Sequence, residues 1–280
     1  MNAVAFRLGA AALLAPGVLI AVFAFLVPLA RLIGLSFSAP SGPLEAYAQL
    51  LGDDIYARVF VNTFVIAIVV TVVALVIAFP VAFALTRLSR TWRGIVFACV
   101  LLPLWISVLV RTFSWMLLLE RNGPINRFVV ASGLAGEPLA LLFNHTAVLI
   151  GMIHVLLPYA VLPIYAALLR IDPGLLRASE GLGASAVTTF LRVLLPLSLR
   201  GVATAATFTF LLALGFFVTP ALLGGASSLT LSMLIDSFVS ERLNWPLAAA
   251  ASVILLAAAL AVVAIAGRFI SVGALAKVHR

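Results

Sequence analysis

Six long apolar stretches constrain the fold of this 280-residue chain more than any other feature of its sequence. A helix needs about 20 apolar residues to cross the roughly 30 Å hydrocarbon core of a bilayer. The stretches that reach this length are residues 8–30, 64–85, 94–119, 146–169, 201–223 and 247–267. Only 9% of the residues are charged, whereas soluble domains carry about 25%. We therefore predict an all-α, polytopic membrane protein with six transmembrane helices and a single domain, residues 1–280.

The first apolar stretch has the length of a membrane span and not of a signal peptide. The apolar core of a signal peptide is about 7–15 residues long, and this stretch has 23 residues. We therefore predict that residues 8–30 form a retained helix.

The distribution of basic residues predicts the orientation of the chain. With the N-terminus placed in the cytoplasm, the inner segments carry 11 basic and 2 acidic residues, and the outer segments carry 6 basic and 7 acidic residues. Cytoplasmic loops of membrane proteins are enriched in Lys and Arg. We therefore predict an inner-membrane protein with both termini in the cytoplasm. The net charge of +8 is explained by this topology, and no nucleic-acid partner is expected.

Residue types that support catalysis or metal binding are sparse. The single cysteine, Cys99, cannot form an internal disulfide, and we expect it to be a small buried apolar residue. His145 and His154 have no acidic companions at ligand spacing, so we expect packed histidines and no metal site. No Gly-rich phosphate-binding loop ending in Lys-Ser or Lys-Thr is present. We expect no catalytic residue and no cofactor.

The segment between the fourth and fifth stretches, residues 171–200, has the signals of a structured helix–turn–helix. Asp172 followed by Pro173 is typical of a helix start, and Gly183 stands where a helix end favours a left-handed residue. Ser185 can cap a second helix, which we expect Pro196 to close before the fifth span. Apolar residues recur along both predicted helices without a bilayer to bury them. Such a surface either contacts another protein or lies on the lipid headgroups.

This segment resembles the signature loop of the permease subunits of binding-protein-dependent ABC importers. That loop reads Glu-Ala-Ala, three residues, Gly, about nine residues, and an apolar residue followed by x-Leu-Pro. The matching positions here are Ala178, Leu182, Gly183, Ala184, Val193, Leu195 and Pro196. Arg177 stands where the family has Glu, and Ser179 where it has the second Ala. The resemblance implies a coupling loop that docks on a cytoplasmic ATPase, although the departure at Arg177 removes a salt bridge through that position.

The resemblance extends over most of the chain and is greatest to the first permease of spermidine/putrescine-type importers. The pieces that carry it are YARVFVNT at 56–63, LPLWISVLVRTFSWMLLL at 102–119, NGPINRF at 122–128, VLIGMIHVLLPYAVLPIYAAL at 148–168 and LALGFFVTPALLGG at 212–225. It implies the type I permease fold, alternating access, and transport of a small organic solute such as a polyamine. The implied partners are an ABC ATPase dimer, a second permease subunit, which is a homologous different chain, and a periplasmic solute-binding protein.

Polar and aromatic residues at membrane depth are candidates to line a solute path. A cationic solute favours carboxylates and aromatic faces, the latter through cation–π attraction. The candidates are Trp105, Trp115, Tyr159, Phe216 and Asp236. Arg111 either lies near the outer gate or extends to the outer headgroups. A direct contact between Arg111 and a polyamine is not expected, because the two cations repel each other.

Two other classes of function compete with the importer permease. A stand-alone channel or secondary transporter commonly carries ionisable residues in mid-span for ion coupling, and the first, second, fifth and sixth stretches have none. An intramembrane enzyme needs a nucleophile–base pair or a metal-ligand set, and neither is visible. The same importer could instead carry an amino-acid-like or other small solute.

Overall fold

The computed structural model describes residues 3–275, and side chains are described for residues 14–225 and 227–268. Every regular element in this range is helical. The helices before the segment 171–200 are α1 Ala3–Ser36, α2 Glu45–Gly52, α3 Asp54–Arg87, α4 Arg90–Trp105, α5 Val108–Leu119, α6 Pro124–Ala131 and α7 His145–Leu168. The later helices are α8 Pro173–Gly181, α9 Ala186–Thr189, a π-helical turn Phe190–Leu194, α10 Leu195–Leu214, α11 Val218–Leu223, a 3₁₀ turn Ala226–Ser228, α12 Leu231–Ser240 and α13 Trp245–Leu275.

The described helices agree with the prediction of six spans when one bent pair is counted as a single span. Five helical segments are long and apolar enough to cross a membrane, namely Leu14–Ser36, Asp54–Arg87, His145–Leu168, Ala186–Leu214 and Trp245–Arg268. The sixth is the pair formed by α4 and the helix after it, which are bent by 103° at a short break. The all-helical fold class is therefore confirmed.

Two of the predicted spans are not continuous. The third, 94–119, is broken at Ile106, whose extended backbone ends α4 and precedes the start of α5 at Val108. The fifth, 201–223, ends at Leu214, and α11 forms a separate short helix after it. Both breaks lie inside stretches that are apolar on either side of the break, so hydropathy alone does not reveal them.

The chain divides into two compact units, of which the larger contains residues 58–234 and continues from residue 257. In this unit α7 is the central helix and packs against α10, α4, α11 and α5. Ala74, Ala78 and Ala82 of α3 are fully buried. They recur every four residues, so they line one face of the helix, and their small side chains permit close helix approach. The same core cluster contains residues of α7 and α10, including Ala160, Ile164 and Ala205.

The smaller unit contains residues up to 57 and residues 235–256. Its interior includes an edge-to-face contact between Tyr56 and Phe238, with ring centroids 5.6 Å apart. Arg242 lies over the Phe238 ring and donates a hydrogen bond to the Tyr56 hydroxyl at 3.3 Å. Along the apolar part of α1 no residue is buried by the chain itself, as expected for a helix that lipid or another subunit covers.

A hydrogen bond from α12 to α3 connects two parts of the larger unit that are far apart in sequence. The buried Thr63 hydroxyl accepts from the backbone N–H of Leu231 at 2.8 Å and donates to the Val59 carbonyl at 2.7 Å. We expect Thr63→Val to destabilise the protein by about 1–3 kcal/mol, because it leaves the Leu231 N–H without a partner. Thr71→Val is the matched control, since the hydrogen bond that the structure shows for the buried Thr71 hydroxyl goes to Ala67 within its own helix.

Thermal unfolding in detergent measures this difference. If the two valine variants unfold at the same temperature, the hydrogen bond between Thr63 and Leu231 does not stabilise the protein as we expect.

Cys99 corrects one expectation from the sequence. We expected a buried apolar residue, and this expectation is wrong, because the Cys99 side chain is exposed on α4. The apolar run around it faces outward along much of α4, where Pro103 is the buried residue.

Candidate functional site

The segment 171–200 begins with the helix start that the sequence predicts. Asp172 is the N-cap of α8, and its carboxylate accepts a hydrogen bond from the Gly174 backbone N–H at 2.7 Å. Pro173 occupies the first helical position, where its missing N–H costs no hydrogen bond. The start of α8 is therefore fixed by local chemistry.

The turn after α8 is a Schellman motif centred on Gly183. The Ala184 N–H bonds to the Ser179 carbonyl at 3.1 Å, and the Gly183 N–H bonds to the Glu180 carbonyl at 2.9 Å. These are the two bonds that define the motif. Gly183 has φ +81°, a left-handed conformation in which a side chain is strained. The predicted glycine turn is confirmed.

The second helix of the segment begins as predicted and does not end as predicted. Ser185 is its N-cap and accepts a hydrogen bond from the Thr188 N–H at 3.2 Å. We expected Pro196 to close this helix, and that expectation is wrong. A π-helical turn, Phe190–Leu194, joins α9 directly to α10, and the Leu195 N–H bonds to the Phe190 carbonyl five residues earlier. This wider turn accommodates a proline that lacks an N–H. The segment is thus continuous with the fifth span.

α8 is attached to the bundle by few contacts, and its turn presents apolar side chains outward. No residue of α8 is buried. Leu182 is 89% exposed and Val187 is 67% exposed. A cavity of about 360 Å³ lies beside α8, with Leu176, Arg177 and Glu180 among its lining residues. The segment therefore packs on the core through Leu176 and leaves apolar side chains exposed around its turn.

Ser179, which stands at an alanine position of the family pattern, links the two helices of the segment. Its hydroxyl forms a hydrogen bond with the Thr189 hydroxyl at 2.9 Å. The substitution therefore adds a contact between α8 and α9. Arg177 and Ala178 precede it on α8 and are both exposed.

The candidate path residues of the larger unit lie on several different elements. Trp105 ends α4 and is 88% exposed, and Phe216 lies in the break between α10 and α11. Tyr159 is 38% exposed on α7. Trp115 donates a hydrogen bond from its indole N–H to His154 Nδ1 at 3.1 Å. In the smaller unit, Asp236 is exposed and accepts a hydrogen bond from Ser240 at 3.3 Å. Their role as path residues stays a prediction.

Arg111 is largely buried, which bears on its two interpretations. The side chain is 9% exposed, and its Nε and Nη1 atoms are buried without a hydrogen-bond partner. An arginine that extends to the headgroups keeps its guanidinium hydrated. The burial of Arg111 therefore disfavours that interpretation and places this charge among the helices of the larger unit.

The two histidines have different environments. His154 is partly buried and accepts from Trp115, as expected of a packed histidine. His145 is exposed at the start of α7, so packing was the wrong expectation there, although its Nδ1 lies 3.1 Å from the Ser228 hydroxyl. The contact of His154 with a path candidate was missed, because the two residues are 39 positions apart and no local signal joins them.

Comparisons with known proteins agree with this architecture. Residues 61–272 match the family model described as "Binding-protein-dependent transport system inner membrane component". The chain is 31% identical over 213 residues to the spermidine/putrescine transport system permease protein PotB of Escherichia coli (strain K12), covering 76% of this chain and 77% of that protein. It is 30% identical over 240 residues to the PotB of Haemophilus influenzae, covering 83% and 84% of the two chains.

Two solved structures share the fold. A chain of a bacterial ABC transporter that imports the acidic polysaccharide alginate has a TM-score of 0.76 at 19% identity, covering 93% of this chain and 94% of that chain. A chain of the MetNI methionine ABC transporter has a TM-score of 0.58 at 21% identity, covering 75% and 92%. The predicted type I fold is confirmed by these likenesses. The chain belongs to the family of inner-membrane components of binding-protein-dependent transport systems, and it is a permease subunit of an ABC importer.

Proposed function

We propose that this permease carries a polyamine of the spermidine/putrescine class into the cytoplasm by alternating access, while a separate ATPase dimer hydrolyses ATP. The observation that carries the coupling role is the capped helix–turn–helix, α8 to α9, with its exposed apolar tip at Leu182. The PotB relatives, named for spermidine/putrescine transport, support the solute class.

The orientation of the chain follows from its charges. The segment 171–200 carries Arg170 at its border and Arg177, Arg192 and Arg200 within it, against Asp172 and Glu180. A basic excess places a loop in the cytoplasm. We infer that the segment contacts the ATPase there and that both termini are cytoplasmic. The remaining partners are a second permease subunit and a periplasmic solute-binding protein.

The continuity of the segment with α10 suggests how force reaches the membrane. The π-helical turn joins α9 to α10 without a loop, so we expect the two helices to move together. Since α10 packs against the central helix α7, displacement of α8 and α9 is transmitted to the core of the larger unit. Closure of the ATPase dimer would then open the bundle outward, and ATP hydrolysis would reset it.

Reconstitution of the complete transporter tests this function. We expect proteoliposomes with all four kinds of subunit to accumulate labelled spermidine or putrescine only when ATP reaches the ATPase and the binding protein is present. The matched control replaces the ATPase with a hydrolysis-deficient variant in the same complex.

Uptake by this chain alone, driven by an ion gradient, would contradict the ATP-driven mechanism. ATP-driven uptake of a different solute in the same complex would contradict only the polyamine assignment.

A further inference from the structure

Arg111 is a buried cation for which no hydrogen bond or ion pair is found among the described residues. Its side chain is 9% exposed, and its Nε and Nη1 atoms are buried and unsatisfied. Its charge interacts electrostatically with Tyr159 and His154, and neither is an aspartate or a glutamate. Among the described residues, no anion is therefore seen paired with this charge.

An uncompensated buried charge is expensive. A guanidinium removed from water needs a paired anion or a full set of acceptors, and a membrane interior offers neither. The described part of the chain thus supplies neither a paired anion nor a full set of acceptors for the Arg111 guanidinium.

The neighbours of Arg111 supply hydrogen-bond donors. Trp115 lies one helical turn after Arg111 and on the same face of α5. Its indole N–H donates to His154 Nδ1 at 3.1 Å, and the two rings meet edge to face. Because Nδ1 accepts, a neutral His154 carries its proton on Nε2, which makes Nε2–H a donor. Tyr159 adds a hydroxyl. The single Trp115 N–H is already donated to His154, so the groups left to bind an anionic oxygen are the Arg111 guanidinium, the His154 Nε2–H and the Tyr159 hydroxyl.

We propose that Arg111, with His154 and Tyr159, forms a carboxylate-binding site in the membrane-spanning bundle, in which Trp115 orients His154. The planar guanidinium matches the two oxygens of a carboxylate in a bidentate pair. Two sources could supply this group: the transported solute or an acidic side chain of the second permease subunit. The inference needs only that the chain is a transmembrane permease, and it does not depend on the polyamine assignment.

The first test is the thermal stability of the full chain in nanodiscs, with acetate as the probe. We expect acetate to raise the unfolding temperature of the wild type by a few degrees, because a ligand that binds only the folded state stabilises it. Arg111→Met should abolish this shift. Arg111→Met should also unfold at a higher temperature than the wild type without acetate, because it removes an unpaired buried charge.

Two further variants separate binding from general charge effects. Arg111→Lys keeps the positive charge but loses the planar guanidinium that can donate two parallel hydrogen bonds. Acetate should therefore raise its unfolding temperature by less than that of the wild type. Arg127→Met removes an exposed arginine of α6 and should keep the full shift.

The second test uses the complete transporter and distinguishes the two sources. A solute carboxylate is indicated when Arg111→Met lowers uptake of a carboxylate-bearing solute about tenfold or more, as loss of one charge-assisted pair predicts, while the second permease still copurifies. A protein carboxylate is indicated when copurification of the second permease is lost. The proposal is overturned when acetate shifts the wild type and Arg111→Met equally, or when Arg111→Met leaves both uptake and copurification at wild-type level.

Discussion

Leu182→Asp should abolish most ATP-driven uptake without unfolding the permease. Leu182 lies at the tip of the helix–turn–helix and is 89% exposed, so the substitution removes little packing within the chain. At an interface, replacing a central apolar contact costs about 2 kcal/mol or more, and a buried unpaired carboxylate adds to this cost. Since 1.4 kcal/mol corresponds to about tenfold in affinity, binding of the ATPase should weaken about 30-fold. Copurification and vesicle uptake measure the effect.

Leu134→Asp is the matched control for this variant. Leu134 is 76% exposed in the segment after α6, which the charge distribution places on the outer side. Both variants should be inserted in the membrane and should unfold at the wild-type temperature. Equal uptake by the two variants would show that the tip of the segment carries no coupling contact.

Gly201→Ala should strongly disturb the packing of α10 against α7. A Cβ at Gly201 would overlap the Ala167 side chain and lie 2.9 Å from the Pro163 carbonyl oxygen. That oxygen belongs to the backbone of α7, so it cannot rotate away, and α7 and α10 must separate. Overpacking of this kind costs about 1–3 kcal/mol. Separation of these helices also disturbs the contact through which we propose that the segment 171–200 acts on the core. Thermal unfolding and uptake should both decrease.

Gly94→Ala tests whether the effect is specific to the helix contact. Gly94 lies in α4, where a Cβ meets no atom within 4 Å. Alanine is favoured over glycine in a helix by about 0.5–1 kcal/mol, so this variant should be as stable as the wild type or more stable. The close packing of α7 against α10 would be contradicted if Gly201→Ala were equally well tolerated.

The features that the sequence predicts well are those set by neighbouring residues. Asp172, Pro173, Gly183 and Ser185 define the two helix starts and the turn, because capping and left-handed backbone depend on a few adjacent positions. The number of spans is also predictable, since it depends on the length of apolar runs. These local signals locate the helix–turn–helix of residues 171–200 without any tertiary information.

The features that the sequence does not predict depend on contacts between distant residues. The breaks at Ile106 and Gly215 keep apolar residues on both sides, so composition does not change across them. Pro196 indicates a helix end in water, but a π-helical turn lets the helix pass through it. The burial of Arg111 is set by the surrounding helices, and its own sequence neighbourhood is compatible with a residue at the headgroups.

The position of Leu182 relative to the membrane and the ATPase tests the central claim most directly. Leu182→Cys in a Cys99→Ala background gives this chain a single thiol, at the tip of the helix–turn–helix. With the complete transporter in the membrane, we predict labelling by an impermeant thiol reagent from the cytoplasmic side only, and cross-linking to the ATPase subunit. Labelling from the periplasmic side, or cross-links to lipid alone, would contradict the account.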